Sequence, residues 1–114
     1  LNIRKFNSIL FLNLSHCGFT NLTYDDFNSR VGYRLLSVDF SFNQIRYIDE
    51  NYFRFKTNSG KNELEHLNLS SNLIERLEDD SFKYLVNLKF LNFRKNYLKR
   101  LPIKLFANCF SLLS

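Results

Sequence analysis

The chain has 114 residues, 45% of them apolar, with a net charge of +5. That length suits one domain, and that apolar share excludes intrinsic disorder. Thirteen Phe against three Gly, one Pro and a single Ala argue against an ordinary helical bundle, whose helices favour Ala and Leu.

The chain opens on Leu1 and contains no Met, so we expect a piece of a longer protein. Ile3, Phe6 and Ile9 carry the same spacing as Phe82, Leu85 and Leu88, which places residues 1–8 inside an earlier repeat. Arg4 and Lys5 precede a short apolar run, but Asn13 interrupts it well before the length of a secretory signal core. No stretch reaches membrane-spanning length.

The repeat is clearest in LEHLNLSSNLIERLEDDSF, residues 64–82. Apolar side chains stand at positions one, four, six, eleven, fourteen and nineteen, with Asn at nine. The same template fits Ile9, Leu12, Leu14, Cys17, Phe19, Leu22 and Phe27, then Leu35, Val38, Phe40, Asn43, Ile45, Ile48 and Phe53. A fourth copy is Leu88, Leu91, Phe93, Asn96, Leu98, Leu101 and Phe106. Repeats therefore occupy 9–34, 35–63, 64–87 and 88–111, and residues 112–114 begin another. The run KTNSGKNE at 56–63 lengthens the second repeat and reads as a protruding loop.

One repeat has too few apolar residues to enclose a core, so each is one turn of a solenoid that buries itself against its neighbours. Positions four and six alternate with polar residues, the period of a short strand, and stacked copies make a parallel sheet. Position nine ends the strand. There Asn43, Asn72 and Asn96 are expected to form a structural asparagine ladder, each satisfying bent backbone of its own and the adjacent turn. Phe27, Phe53, Phe82 and Phe106 should stack in one column on the return path.

This template resembles the leucine-rich repeat family in its typical 24-residue class, LxxLxLxxNxLxxLxxxxFxxLxx. The resemblance implies an α/β repeat fold: a curved solenoid with a concave parallel β-sheet and an irregular or short-helical convex side. It also implies an extracellular setting, similar to the ectodomains of Toll-like receptors, chaoptin-like adhesion proteins and Slit-like guidance proteins. Repeat lengths of 26 and 29 resemble the Toll-like group more than uniform matrix proteoglycans. The cysteine-bearing cap common in the family is not visible, since LFANCFSLLS runs into another repeat.

Cys17 and Cys109 lie nearly four turns apart, about 18 Å at the usual strand spacing. A disulfide spans at most about 7 Å between Cα atoms, so both are expected to be small buried thiols. His16 and His66 have no partners at metal-ligand spacing, and no cofactor is expected. Asp39, His66 and Ser70 should point out from adjacent strands. Parallel side chains on a flat sheet do not converge into a triad, so an incidental hydrogen bond from His66 to Asp39 is expected rather than catalysis.

The outward strand positions supply the ligand-face candidates Phe11, Asn13, Ser37, Asp39, His66, Asn68, Phe90, Asn92 and Arg94. Sequons stand at Asn13, Asn21 and Asn68, and Asn21, on the return path, is the best placed for a glycan. Nine basic and eleven acidic residues precede and include Asp80; seven basic and no acidic residues follow it. The basic set Lys89, Arg94, Lys95, Lys99, Arg100 and Lys104 belongs to the fourth repeat, read as a solvated flank balanced by Glu75, Glu78, Asp79 and Asp80. We therefore expect a non-enzymatic segment binding a protein or glycan, with no nucleic-acid partner and any membrane anchor lying outside this piece. The alternatives are a structural spacer within a larger solenoid, or anion recognition by the basic fourth repeat.

Overall fold

Six short strands recur in step with the repeat: β1 (Phe11–Asn13), β2 (Asn21–Leu22), β3 (Ser37–Asp39), β4 (Tyr47–Ile48), β5 (His66–Asn68) and β6 (Phe90–Asn92). They belong to a computed structural model that describes residues 11–23, 35–54 and 62–112. Phe27, residues 1–8 and most of the 56–63 run lie outside the described residues.

β1, β3, β5 and β6 form one parallel sheet in that order, and β2 and β4 a second parallel pair. Register is strict: Leu12, Val38, Leu67 and Leu91 face one another across successive strands. Slipping one residue would turn that apolar row outward. The backbone ladder continues past the strands, with Leu14 N donating to Asp39 O at 2.8 Å and Phe40 N to Asn68 O at 2.8 Å.

Behind the sheet the described residues share a core that includes Phe40, Ile45, Leu69, Ile74 and Leu88. Phe53 and Phe82 have ring centroids 6.2 Å apart, and Phe82 and Phe106 6.4 Å, so one ring per turn stacks down the return path. Tyr52, off the template, joins this column edge-on at 5.1 Å from Phe53.

Asn43, Asn72 and Asn96 fasten the turns together. Each Nδ2 donates to two carbonyls of its own turn and one of the preceding turn: for Asn72 these are Leu69 O, Ser70 O and Phe40 O, at 3.0, 3.1 and 3.0 Å. Each Oδ1 accepts an amide of the preceding turn, as Asn43 does from Cys17 and Phe19 at 3.0 and 3.1 Å.

The convex side takes the irregular form: no described residue is helical, and the return paths are single turns such as Tyr52 N to Asp49 O and Leu85 N to Phe82 O. One expectation needs correction. Cys17 is exposed, because Asn43 reaches across to its backbone and leaves its side chain outside; Cys109 is buried. Asn62, at the end of the 56–63 run, is buried, donating to Phe53 O and accepting from Leu64 N at 3.0 Å.

Candidate ligand-recognition face

Strand register sorts the outward side chains into rows. Phe11, Ser37, His66 and Phe90 form one row, and Asn13, Asp39, Asn68 and Asn92 the next. In the first row His66 and Phe90 lie flat against each other, centroids 4.7 Å apart and planes 17° apart. Phe11 is 69% exposed and Phe90 40%.

The second row has a backbone task that the sequence reading missed. Oδ1 of Asn13, Asp39, Asn68 and Asn92 accepts the amide two residues on, from Ser15, Ser41, Ser70 and Arg94, at 2.8–3.0 Å. These are Asx turns, which carry the chain out of each strand. The signal was present: Asn or Asp recurs at position five in every copy. Three residues further on, His16, Phe42, Ser71 and Lys95 all hold positive φ between 55° and 57°. That left-handed step aims their amides at the next turn, as His16 N reaches Ser41 O at 3.2 Å and Ser71 N reaches Arg94 O at 2.9 Å.

Asp39 does not meet His66. Register sets Asp39 opposite Asn13 and Asn68, and His66 opposite Ser37 and Phe90, so the expected hydrogen bond gives way to ring stacking. A second stack joins His16 to Phe42, centroids 4.7 Å apart and planes 6° apart. Phe42 occupies a variable point, and nothing in the repeat pattern marks it. Among the described residues no three His, Cys, Asp or Glu side chains cluster as metal ligands.

The basic residues of the fourth repeat have different neighbours, because successive positions around a solenoid turn face different directions. Lys89 pairs with Glu65 at 3.4 Å, an acid outside the set expected to balance it. Arg94 and Lys95, beyond the end of β6, line an open depression of about 770 Å³ together with Asp39, His66, Asn68 and Phe90. Neither ion-pairs with an acid among the described residues. Lys99 and Arg100 lie on another flank, beside Glu75 and Glu78. There the backbone amide of Lys104 donates to Asp79 Oδ1 at 3.2 Å.

Of the sequons, Asn21 is exposed in β2 and Asn13 exposed on the sheet, while Asn68 is half-buried between β3 and β6. No described helix is long and apolar enough to cross a membrane.

Parallel strands one per turn, an asparagine ladder and a Phe column define a leucine-rich repeat solenoid. Residues 62–114 match the leucine rich repeat family model, and the same strand geometry runs back through the earlier turns. It is similar to Epiphycan of Mus musculus, 38% identical over 61 residues, covering 54% of this chain and 17% of that protein. It superposes on the crystal structure of a TLR13–ssRNA13 complex with a TM-score of 0.76 and 26% identity, over 90% of this chain and 14% of that one. The chain thus spans less than a fifth of either relative.

Proposed function

We propose that the chain is a non-enzymatic recognition segment of an extracellular leucine-rich repeat receptor or adhesion protein, binding a protein or glycan through its sheet face. The observation carrying this reading is the continuous row of outward side chains held in strict register, which ends in the His66 and Phe90 ring pair beside Arg94. Such a row suits recognition because each added turn extends one surface, and exposed aromatics and arginine are frequent anchors of protein interfaces. The likeness to Epiphycan and to TLR13 supports the extracellular setting.

The test replaces Phe11, His66, Phe90 and Arg94 together by Ala in the full-length protein. Binding of the labelled protein to cells and matrix of its source tissue is then read by flow cytometry, with melting as the folding control. Loss of binding with intact folding is expected. Unchanged binding would make the segment a spacer.

A second reading is anion recognition, favoured by Arg94 and Lys95, which pair with no acid among the described residues, and by the single-stranded RNA in the TLR13 structure. It requires binding to oligonucleotide or sulfated glycan that weakens steeply with salt.

A further inference from the structure

The row Phe11, Ser37, His66, Phe90 carries a ring on every strand except β3. Where rings stand on adjacent strands they stack at strand spacing, 4.7 Å between His66 and Phe90. Phe11 and His66 stand two strands apart, about 9.6 Å. Strand spacing thus leaves room for one planar group over Ser37, between the positions of Phe11 and His66. Ser37 forms the floor of this gap, and the hydroxyl of Ser37 has no partner among the described residues.

The slot has a charged end. Asp39 follows Ser37 by two residues on the same strand, about 7 Å along it. Its Oδ1 is held by Ser41 N, but its other oxygen takes no hydrogen bond or ion pair among the described residues. Asp39 is the one acid lining the depression, and the cations lining it, Arg94 and Lys95, stand two strands away beyond β6. The face is bipolar: negative at the second turn, positive at the fourth, with the His66 and Phe90 stack between.

We propose that the gap over Ser37 seats an arginine side chain of a partner protein, and that the same partner segment presents a carboxylate to Arg94 and Lys95. This rests on the protein-binding reading above and deepens it. A guanidinium is planar, stacks on aromatic faces and carries the charge that Asp39 lacks. Half its width plus one hydrogen bond covers about 5 Å of the roughly 7 Å along β3 to Asp39, leaving about 2 Å for the Asp39 side chain to close. Crossing from β3 to β6 takes about 10 Å, the reach of three residues of extended chain. A uniformly anionic strand, RNA or sulfated glycan, meets the same cations but is repelled by Asp39.

The two occupants predict opposite signs for one substitution. The probe is the peptide acetyl-Arg-Ala-Ala-Asp-amide, titrated by NMR into the isotope-labelled chain, with oligouridine and a heparin oligosaccharide as polyanion arms. Shifts are expected at Phe11, Ser37 and His66. D39N, which retains the Ser41 hydrogen bond through its amide oxygen, should weaken the peptide about tenfold. It should strengthen both polyanions. S37F, which fills the gap with a fourth ring, should abolish peptide shifts while leaving the melting temperature at or above the parent's. Absence of shifts in the row overturns the proposal, as does peptide affinity indifferent to both substitutions or polyanions binding more tightly than the peptide. If the fourfold alanine protein loses cell binding while D39N and S37F retain it, the slot is refuted and the broader reading stands.

Discussion

Asn72 holds the backbone amide of Ile45, 27 residues earlier in the chain, at 3.0 Å. The same side chain donates to Phe40 O in that earlier turn and to Leu69 O and Ser70 O in its own. One buried amide group thereby closes the bend after one strand and tethers it to the turn before. Removing it strands the buried Ile45 amide and takes one of two donors from each of the three carbonyls, so the loss exceeds that of a single hydrogen bond.

Asn72→Ala should accordingly lower stability by about 3 kcal/mol or more in urea denaturation. Cys17→Ala alters the same template point of the first described turn, where the side chain is exposed and Asn43 serves the backbone from the next turn. That change should stay within about 0.5 kcal/mol. Equal losses for the two variants would refute the ladder as the source of cohesion.

Phe82 is fully buried between Phe53 and Phe106, whereas Phe106 is only half-buried. Phe82→Ala should cost about 3–5 kcal/mol, because the cavity lies between two rings and cannot collapse. Phe106→Ala should cost clearly less, and calorimetric melting of the pair measures the difference.

Ser71 sits in the left-handed region at φ 56°. A β-branched residue there meets its own carbonyl, so Ser71→Val should destabilise by about 1–2 kcal/mol, while Ser71→Gly should be neutral or stabilising. Denaturant midpoints of the two variants, expected to move apart, test the backbone assignment.

Burial pushes the Cys109 thiol above its ordinary pKa. The folded state therefore prefers the neutral thiol. Its contribution to stability is full below the unfolded thiol pKa and is lost as pH rises through that value towards the folded one. Stability of the native chain should fall above about pH 8.5, and Cys109→Ala should flatten that decline. With a thiol-reactive dye at neutral pH, Cys17 should label in the native state and Cys109 only in denaturant.

The repeat, its parallel sheet, the asparagine points and the Phe column were legible in sequence because all depend on periodic burial. Leu12, Val38, Leu67 and Leu91 must share a side, and spacing alone reveals that. The Asx turns of Asn13, Asp39, Asn68 and Asn92 were periodic too, but a polar residue on an outward strand position reads equally as surface or as backbone cap. Hydrogen-bond direction decides between them.

The side-chain chemistry of the face was a different matter. Nothing in residue order says that His66 stacks on Phe90 rather than bonding Asp39, that Glu65 takes Lys89, or that Arg94 and Lys95 part company with Lys99 and Arg100. Those pairings depend on which residues of different turns become neighbours, and loops of unequal length separate the turns. A core made of repeated apolar points is determined by sequence because burial is non-directional and tolerant. The recognition face was decided only by tertiary structure, because stacking and ion pairing depend on distances of a few ångström between residues 24 or more apart in the chain.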